Sequence, residues 1–130
     1  MSPNTTDARP SRRRKRQEPR HAVVRRVRES APLFAALGDS TRLQIVGRLA
    51  GGALLSIAAL TAGSGVTRQA ITKHLRVLDE VGLVHSIWQG RERMWALDPA
   101  RIDVARRTLD LISAQWAQAL ERLAAFVEEK

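Results

Sequence analysis

The chain contains no cysteine, which excludes a disulfide, a cysteine-ligated zinc ion and a thiol nucleophile. It has no tyrosine and only three tryptophans and two phenylalanines, so aliphatic side chains must form most of the core. No apolar run approaches the roughly 20 residues of a membrane-spanning helix. The N-terminus is basic but lacks the apolar stretch of a signal peptide. These absences predict a cytoplasmic protein with no membrane partner.

Acidic residues are also in short supply. The 130 residues include 22 Lys and Arg against 13 Asp and Glu, a formal net charge of +9. Such a balance favours a polyanionic partner, either nucleic acid or an anionic membrane. The excess lies mainly in residues 1–30, where ten basic side chains stand against three acidic ones, for a net charge of +7. The rest of the chain is nearly neutral, so its basic residues must be judged by position.

The composition divides the chain into two parts. Residues 1–28 are polar and rich in arginine ("SRRRKRQEPR"), and we expect them to form a disordered basic arm in the free protein. The arm either contacts nucleic acid phosphates or is only a solvated tail. Residues 29–130 are expected to form one folded domain.

Three short helices open this domain. The segment "SAPLFAALG" predicts a helix that ends at Gly38, and "DSTRLQIVGRLAGG" predicts a second, capped by Asp39 or Ser40. The segment "SIAALTAG" predicts a third, with Ser56 as its N-cap. A glycine-rich turn at residues 63–65 follows.

The next helix is the most clearly amphipathic of the chain. In "GVTRQAITKHLRVLDEVGLV", Thr67 is the expected N-cap and Gly82 lies just past the end. Ile71, Leu75 and Leu78 are spaced as one buried stripe, which leaves a polar face rich in hydrogen-bond donors.

The spacing of the apolar residues then changes from that of a helix to one that suits β-strands, which predicts two strands in "LVHSIWQGRERMWALD". With Gly90-Arg91 as the loop of a hairpin, Trp88 lies opposite Arg93 and Ile87 lies opposite Met94. The fold class predicted is therefore mainly α with a small β-hairpin, in the order of a winged helix-turn-helix.

The last helix, at about residues 101–128, carries a heptad repeat. Its a and d positions are apolar: Ile102, Leu109, Trp116 and Leu123, and Ala105, Ile112, Ala119 and Phe126. A helix of about 28 residues is about 42 Å long, more than so small a domain can cover. We expect a second copy to cover the remainder and form a homodimer. The alternative is a helix folded back over its own core.

This succession of elements predicts binding to double-stranded DNA. A helix fits the major groove of B-DNA, and the first half of the donor-rich helix would approach the bases. Arginine and glutamine can bond guanine and adenine there, and basic residues on the helix or at the tip of a wing can bind phosphates. The candidate DNA-binding residues are Arg68, Gln69, Thr72, Lys73, Arg76, Arg91 and Arg93.

Other functions have less support. A nonspecific architectural DNA binder would depend on the basic arm, and a winged helix can also be a protein-interaction module. No catalytic motif is present, so an enzyme is not expected and no cofactor is predicted. His74 is not expected to bind a metal ion, because the other two histidines, His21 and His85, do not lie at a spacing from His74 that is typical of metal ligands. We expect His74 to pack or to contact a phosphate.

The segments "LFAALGDSTRLQIVGRL", "VTRQAITKHLRVLDEVGLV" and "GRERMWALDP" resemble the ArsR-type winged-helix transcriptional regulators. The resemblance implies a homodimeric regulator, usually a repressor that blocks a promoter, and we expect such a protein to be nucleoid-associated in the cytoplasm. It also implies dimerisation through the first and last helices, which adds Leu33 to the expected interface of Ile102, Leu109, Ile112, Trp116, Leu123 and Phe126.

Metal-sensing members of this family carry Cys pairs or Asp/His sets in helices that have no Cys or His here, so metal sensing is not expected. Trp116 either fills the dimer core or borders a cavity for an unknown apolar effector. The operator sequence is expected to be an imperfect inverted repeat.

Overall fold

A computed structural model describes the backbone of residues 12–128 and the side chains of residues 21–128. The chain forms five helices and a small sheet within these residues. In chain order they are α1 (Arg12–Leu37), α2 (Ser40–Leu49), β1 (Leu55–Ser56), α3 (Ile57–Thr61), α4 (Arg68–Glu80), β2 (Val84–Gln89), β3 (Glu92–Leu97) and α5 (Pro99–Glu128). The predicted winged helix-turn-helix order is confirmed.

The predicted N-caps of α2, α3 and α4 are those of the structure. The carboxylate of Asp39 accepts from the N–H of Arg42, which caps α2. The hydroxyls of Ser56 and Thr67 cap α3 and α4 in the same manner, each accepting from the backbone N–H three residues later. Each cap satisfies an N–H that has no partner inside the helix. The caps therefore stabilise the first turns of α2, α3 and α4 and determine the residues at which these helices begin.

The sheet has three antiparallel strands in the order β1-β3-β2. In the wing formed by β2 and β3, Trp88 pairs with Arg93 and Ile87 pairs with Met94, so the predicted register is confirmed. The strand β1 was not predicted. It contributes only two residues, opposite Trp95 and Met94 on β3, and two residues are too few for an alternating pattern in the sequence.

One apolar core joins these elements. It contains the stripe of α4 (Ile71, Leu75, Leu78), each residue with no exposed surface. Around that stripe lie apolar residues from α1, α2, α3, the turn before β2 and the two strands of the wing, namely Leu33, Ala36, Ile45, Val46, Leu49, Leu60, Leu83, Val84 and Trp95. The core therefore fixes α4 from one side and leaves its other side uncovered.

The first helix differs from the prediction. Disorder was expected for residues 1–28, but residues 12–28 continue α1 without a break, and residues 1–11 lie outside the described part of the chain. Two physical reasons apply. Arginine is a good helix former, and the C-terminal end of α1 is anchored by the burial of Ser30 and Leu33.

Two side chains assigned to the dimer interface contact the core of their own protomer. Leu33 has no exposed surface because it belongs to the core of its own protomer, so its assignment to the interface is wrong. Ile102 is half-buried and packs against the same core. The first turns of α5 are thus used within the protomer. Helix α1 is fixed on α5 by Ser30, whose buried hydroxyl lies 2.6 Å from that of Thr108.

Candidate nucleic-acid interface

The uncovered side of α4 carries the side chains predicted to bind DNA. Arg68, Gln69, Lys73 and Arg76 are exposed, and Thr72 is half-buried. The Thr72 hydroxyl donates to the carbonyl of Arg68 at 2.9 Å. Its hydrogen is therefore used inside the helix, which leaves the oxygen as an acceptor and the methyl group for an apolar contact. This face offers donors chiefly from Arg68, Gln69 and Lys73.

A polar cluster fixes α4 at the edge of its buried stripe. The guanidinium of Arg42 on α2 donates to the carbonyl of Ala36 at 2.6 Å and to Nδ1 of His74 at 3.3 Å. Asp39 Oδ1 lies 4.0 Å from the same ring nitrogen. His74 is thus a packing residue, one of the two roles expected for it. Arg42 connects α1, α2 and α4, and its role was not predictable because His74 lies 32 residues further along the chain.

The carboxylate of Asp39 belongs to the same cluster. Its pKa lies below the ordinary value of 3.8, chiefly because the backbone N–H of Arg42 donates to it, with further favourable charge interactions from His74 and Arg42. The ionised form is therefore stabilised at neutral pH, where it caps α2 and faces the His74 ring.

The first helix of the helix-turn-helix is held against α2. The guanidinium of Arg48 donates to the carbonyl of Leu60 at 3.0 Å, which satisfies a carbonyl near the end of α3. The turn between α3 and α4 has Gly63 and Gly65 at positive φ, a conformation that glycine adopts without steric cost. Helix α4 is therefore presented by contacts with α2 and α3 rather than by its own stability.

The wing brings two predicted residues to the end of the sheet. Arg91 is exposed at the loop, where Gly90 has a positive φ of 64°. The guanidinium of Arg93 lies 4.9 Å from the centre of the Trp95 ring and 6.0 Å from that of the Trp88 ring. Arg93 is therefore stacked on two indoles, an arrangement that the sequence did not predict.

The acidic residues of this surface lie in the last turn of α4 and, in the wing, on the face of the sheet opposite Arg93. Asp79 and Glu80 are exposed in the last turn of α4, after the donor-rich face. Glu92 pairs with Gln89 next to the loop of the wing. Since successive residues of a strand point to opposite faces, Glu92 and Arg93 lie on opposite faces of the sheet. Arg93 and the first two turns of α4 thus keep a positive character.

A second exposed surface lies on α5. Leu109, Ile112, Trp116, Leu123 and Phe126 of the predicted interface are between 43% and 65% exposed, as are Leu120 and Val127. The other side of α5 carries ion pairs: Arg106 contacts Asp103 and Asp110 at 2.6 and 3.0 Å, and Arg107 contacts Asp103 at 2.7 Å. The pKa of Asp103 is lowered chiefly by the hydrogen bond from Arg106. Helix α5 thus has one charged and one apolar side.

The apolar side of α5 continues onto α1. An open cleft of about 320 Å³ lies between the two helices, lined by Val27, Ala31, Phe34, Thr108, Leu109 and Ile112. Val24 and Val27 on α1 are 56% and 42% exposed. Contiguous apolar surface of this kind is typical of a contact with another molecule.

Two further observations concern the described residues only. No helix among residues 12–128 is long and apolar enough to cross a membrane. Among the side chains of residues 21–128, no three of His, Asp or Glu are grouped as ligands of a metal ion.

Comparison with known proteins gives the family. Residues 37–87 match the model of a helix-turn-helix domain. The HTH-type transcriptional regulator Rv2034 of Mycobacterium tuberculosis is 36% identical over 97 residues, which cover 75% of this chain and 87% of that protein.

Solved structures agree with this match. An ArsR-like transcriptional regulator from Rhodococcus sp. RHA1 is 38% identical, with a TM-score of 0.74 over 82% of this chain and 97% of that one. The homodimeric winged helix-turn-helix DNA-binding domain of Mb0332 from Mycobacterium bovis is 26% identical, with a TM-score of 0.53 over 79% of this chain and 90% of that one.

The chain belongs to the ArsR-like family of winged helix-turn-helix transcriptional regulators. It is accordingly a DNA-binding regulator of transcription and not an enzyme.

Proposed function

We propose that the protein is a homodimer that binds an imperfect inverted repeat in DNA and represses transcription there. The proposal rests on the difference between the two sides of α4. One side is completely buried, and the other presents Arg68, Gln69 and Lys73 to solvent. A helix fixed in this way can enter a major groove as a rigid body.

The proposed roles follow from the chemistry of each side chain. Arg68 can donate two parallel hydrogen bonds to guanine, and Gln69 can bond adenine in the same bidentate manner. Thr72 can place its methyl group against that of thymine. Lys73 and Arg76 are proposed to bind phosphates, as is Arg91 at the tip of the wing, with Arg93 beside it.

The apolar side of α5 supports the homodimer. Trp116 is 65% exposed and Leu123 is 59% exposed, at positions separated by seven residues. A second copy would cover both and would also close the cleft between α1 and α5. The homodimeric state of the Mycobacterium bovis domain agrees with this proposal. Two α4 helices related by a two-fold axis would then lie about 34–36 Å apart, the distance between successive major grooves.

Repression needs nothing beyond this binding. A dimer placed across two successive major grooves of a promoter excludes other proteins from the same DNA. The proposed place of action is therefore the nucleoid, in the cytoplasm.

Selection of bound fragments from genomic DNA, followed by titration of the selected sequence, tests the proposal. The expected operator is an imperfect inverted repeat.

Arg68→Ala should cost about 1–3 kcal/mol of binding free energy and relax the preference at one base pair of each half-site. Arg68→Lys keeps the charge but not the bidentate fork, so it should lose the same preference and keep the salt dependence. Arg106→Ala, on the charged side of α5, is the control and should bind normally. Unchanged base preference in Arg68→Ala contradicts the proposed role of that residue.

A nonspecific architectural binder is the second candidate, and the concentration of positive charge in residues 1–30 favours it. It predicts that selection yields no common sequence, and that removal of the basic segment before Glu29 abolishes most of the affinity. A protein-interaction module would instead show no salt-dependent affinity for DNA.

A further inference from the structure

An exposed indole stands on the wing with no role in the functions described so far. Trp88 is 66% exposed, whereas Trp95 on the neighbouring strand is only 4% exposed. In the register of the hairpin, Trp88 pairs with Arg93 and Ser86 pairs with Trp95. Because side chains alternate along a strand, Trp88, Arg93 and Trp95 share one face of the sheet. Trp95 joins the core, and Trp88 extends the same face outward towards the loop.

The guanidinium of Arg93 lies over both rings, 4.9 Å from the centre of Trp95 and 6.0 Å from that of Trp88. Both distances are within the range in which a cation is attracted to the face of an aromatic ring. Stacking restricts the long Arg93 side chain while its N–H groups remain able to donate. The three residues therefore form one unit, with an apolar ring and a cation side by side on the surface.

The chemistry of this unit suits the DNA backbone better than it suits a protein surface. The loop adds a second cation at Arg91, and the nearest carboxylate in the sequence, Glu92, points to the opposite face of the sheet. A partner that covers Trp88 must therefore bring an apolar group together with an anion. Deoxyribose beside a phosphate provides both at a fixed spacing, at every nucleotide.

We propose that Trp88 is a DNA-contacting residue of the wing: its indole packs against deoxyribose at the edge of the minor groove, and Arg93, held on that indole, binds the adjacent phosphate. This inference rests on the proposed function, because it requires that α4 and the wing face the same DNA. It adds an apolar contact to a wing that would otherwise bind only through charge.

The test compares two kinds of wing variant in the full-length protein, titrated with the selected operator over a range of salt concentrations. Trp88→Ala should weaken binding about tenfold at every salt concentration, with little change in the salt slope, because the ring itself carries no charge. Trp88→Phe keeps an apolar ring and should retain most of the affinity. Arg91→Ala should instead lower the salt slope by about one.

A direct readout comes from ¹⁹F NMR of protein labelled with 5-fluorotryptophan, whose three resonances can be assigned with Trp88→Phe and Trp116→Phe variants. Addition of operator DNA should shift the Trp88 resonance and leave the Trp116 resonance in place. Circular dichroism of Trp88→Ala should match the wild type, since the ring lies mainly outside the core.

The outcomes separate this inference from the proposed function. If Arg68→Ala weakens operator binding but Trp88→Ala does not, the inference is overturned and the proposed function stands. If Trp88→Ala changes only the salt slope and the Trp88 resonance is unaffected by DNA, the indole merely positions Arg93 and the proposed contact is wrong. If the wild-type protein selects no sequence, the proposed function itself fails.

Discussion

Helices α4 and α5 are both amphipathic, yet they use their apolar residues in opposite ways. Ile71, Leu75 and Leu78 of α4 have no exposed surface, whereas Trp116 and Leu123 of α5 are more than half exposed. The difference follows from length: the 13 residues of α4 fit within the domain, and the 30 residues of α5 extend past it. Helix α4 leaves hydrogen-bond donors exposed, as binding to DNA requires, and α5 leaves apolar side chains exposed, which a second copy covers in the proposed homodimer.

The largest expected effect comes from a leucine in each helix. Leu75→Ala should lower the free energy of unfolding by about 2–5 kcal/mol, because it leaves a cavity in the core. Leu123→Ala should change the stability of the isolated protomer by less than about 0.5 kcal/mol, because its side chain lies outside the core. Urea unfolding at low protein concentration measures both. Equal losses would show that the two helices are buried to the same extent in the protomer.

A charge on the apolar side of α5 should have the next largest effect. Trp116→Glu should weaken the homodimer by about 2 kcal/mol or more, since tryptophan at the centre of an interface is often a dominant contact. Sedimentation over a range of concentrations measures the change. Gln118→Glu adds the same charge about 200° around the helix from Trp116 and should leave the dimer intact. If both variants stay dimeric, the dimer does not use this side of α5.

A smaller effect is expected from a phosphate contact on α4. Arg76→Ala should weaken binding to all DNA sequences about equally and lower the salt slope by about one. Titration of the operator and of an unrelated duplex at several salt concentrations measures this. Arg106→Ala removes an equal charge from α5 and serves as the control. A loss confined to the operator would instead assign Arg76 to base recognition.

Much of the exposed face of α4 and of the wing could be predicted, because both depend on residues that are close together in the sequence. The spacing of Ile71, Leu75 and Leu78 placed Arg68 and Gln69 on the outside. The loop at Gly90 determined the register that brings Trp88 opposite Arg93. Periodicity over a few residues is enough for such features, and the structure has them as predicted.

Features that depend on contacts between distant segments were not predictable in the same way. The bridge from Arg42 to His74 spans 32 residues, and the pairing of Leu55 with Trp95 spans 40. The burial of Leu33 depends on how α1 packs on the core. The heptad of α5 had the right period, yet it could not show that Ile102 packs within the protomer while Leu109 does not.

The smallest expected effect concerns the junction between the wing and α5. His85 donates to the Asp98 carboxylate at 2.6 Å, and the other oxygen of Asp98 accepts from the N–H of Ala100 at 2.9 Å. These hydrogen bonds, that of His85 first, hold the pKa of Asp98 below its ordinary value of 3.8. A pKa lower in the folded than in the unfolded protein stabilises the fold above pH 3.8, and the contribution is lost as the pH falls further.

Asp98→Asn should therefore be less stable than the wild type at pH 5–6, with a difference that shrinks as the pH falls below about 4. Urea midpoints across this pH range measure the difference. Glu80→Gln, an exposed carboxylate on α4, is the control. A difference that does not depend on pH would mean that the charge of Asp98 does not contribute.

In the proposed complex, the two α4 helices of one dimer occupy successive major grooves on the same face of the DNA. The decisive experiment is a titration of the protein with its selected operator after about five base pairs, half a helical turn, have been inserted between the half-sites. We expect this insertion to lower the affinity to that of a single half-site, whereas a change of spacer sequence at constant length should not. An affinity unchanged by the insertion would contradict the proposed complex.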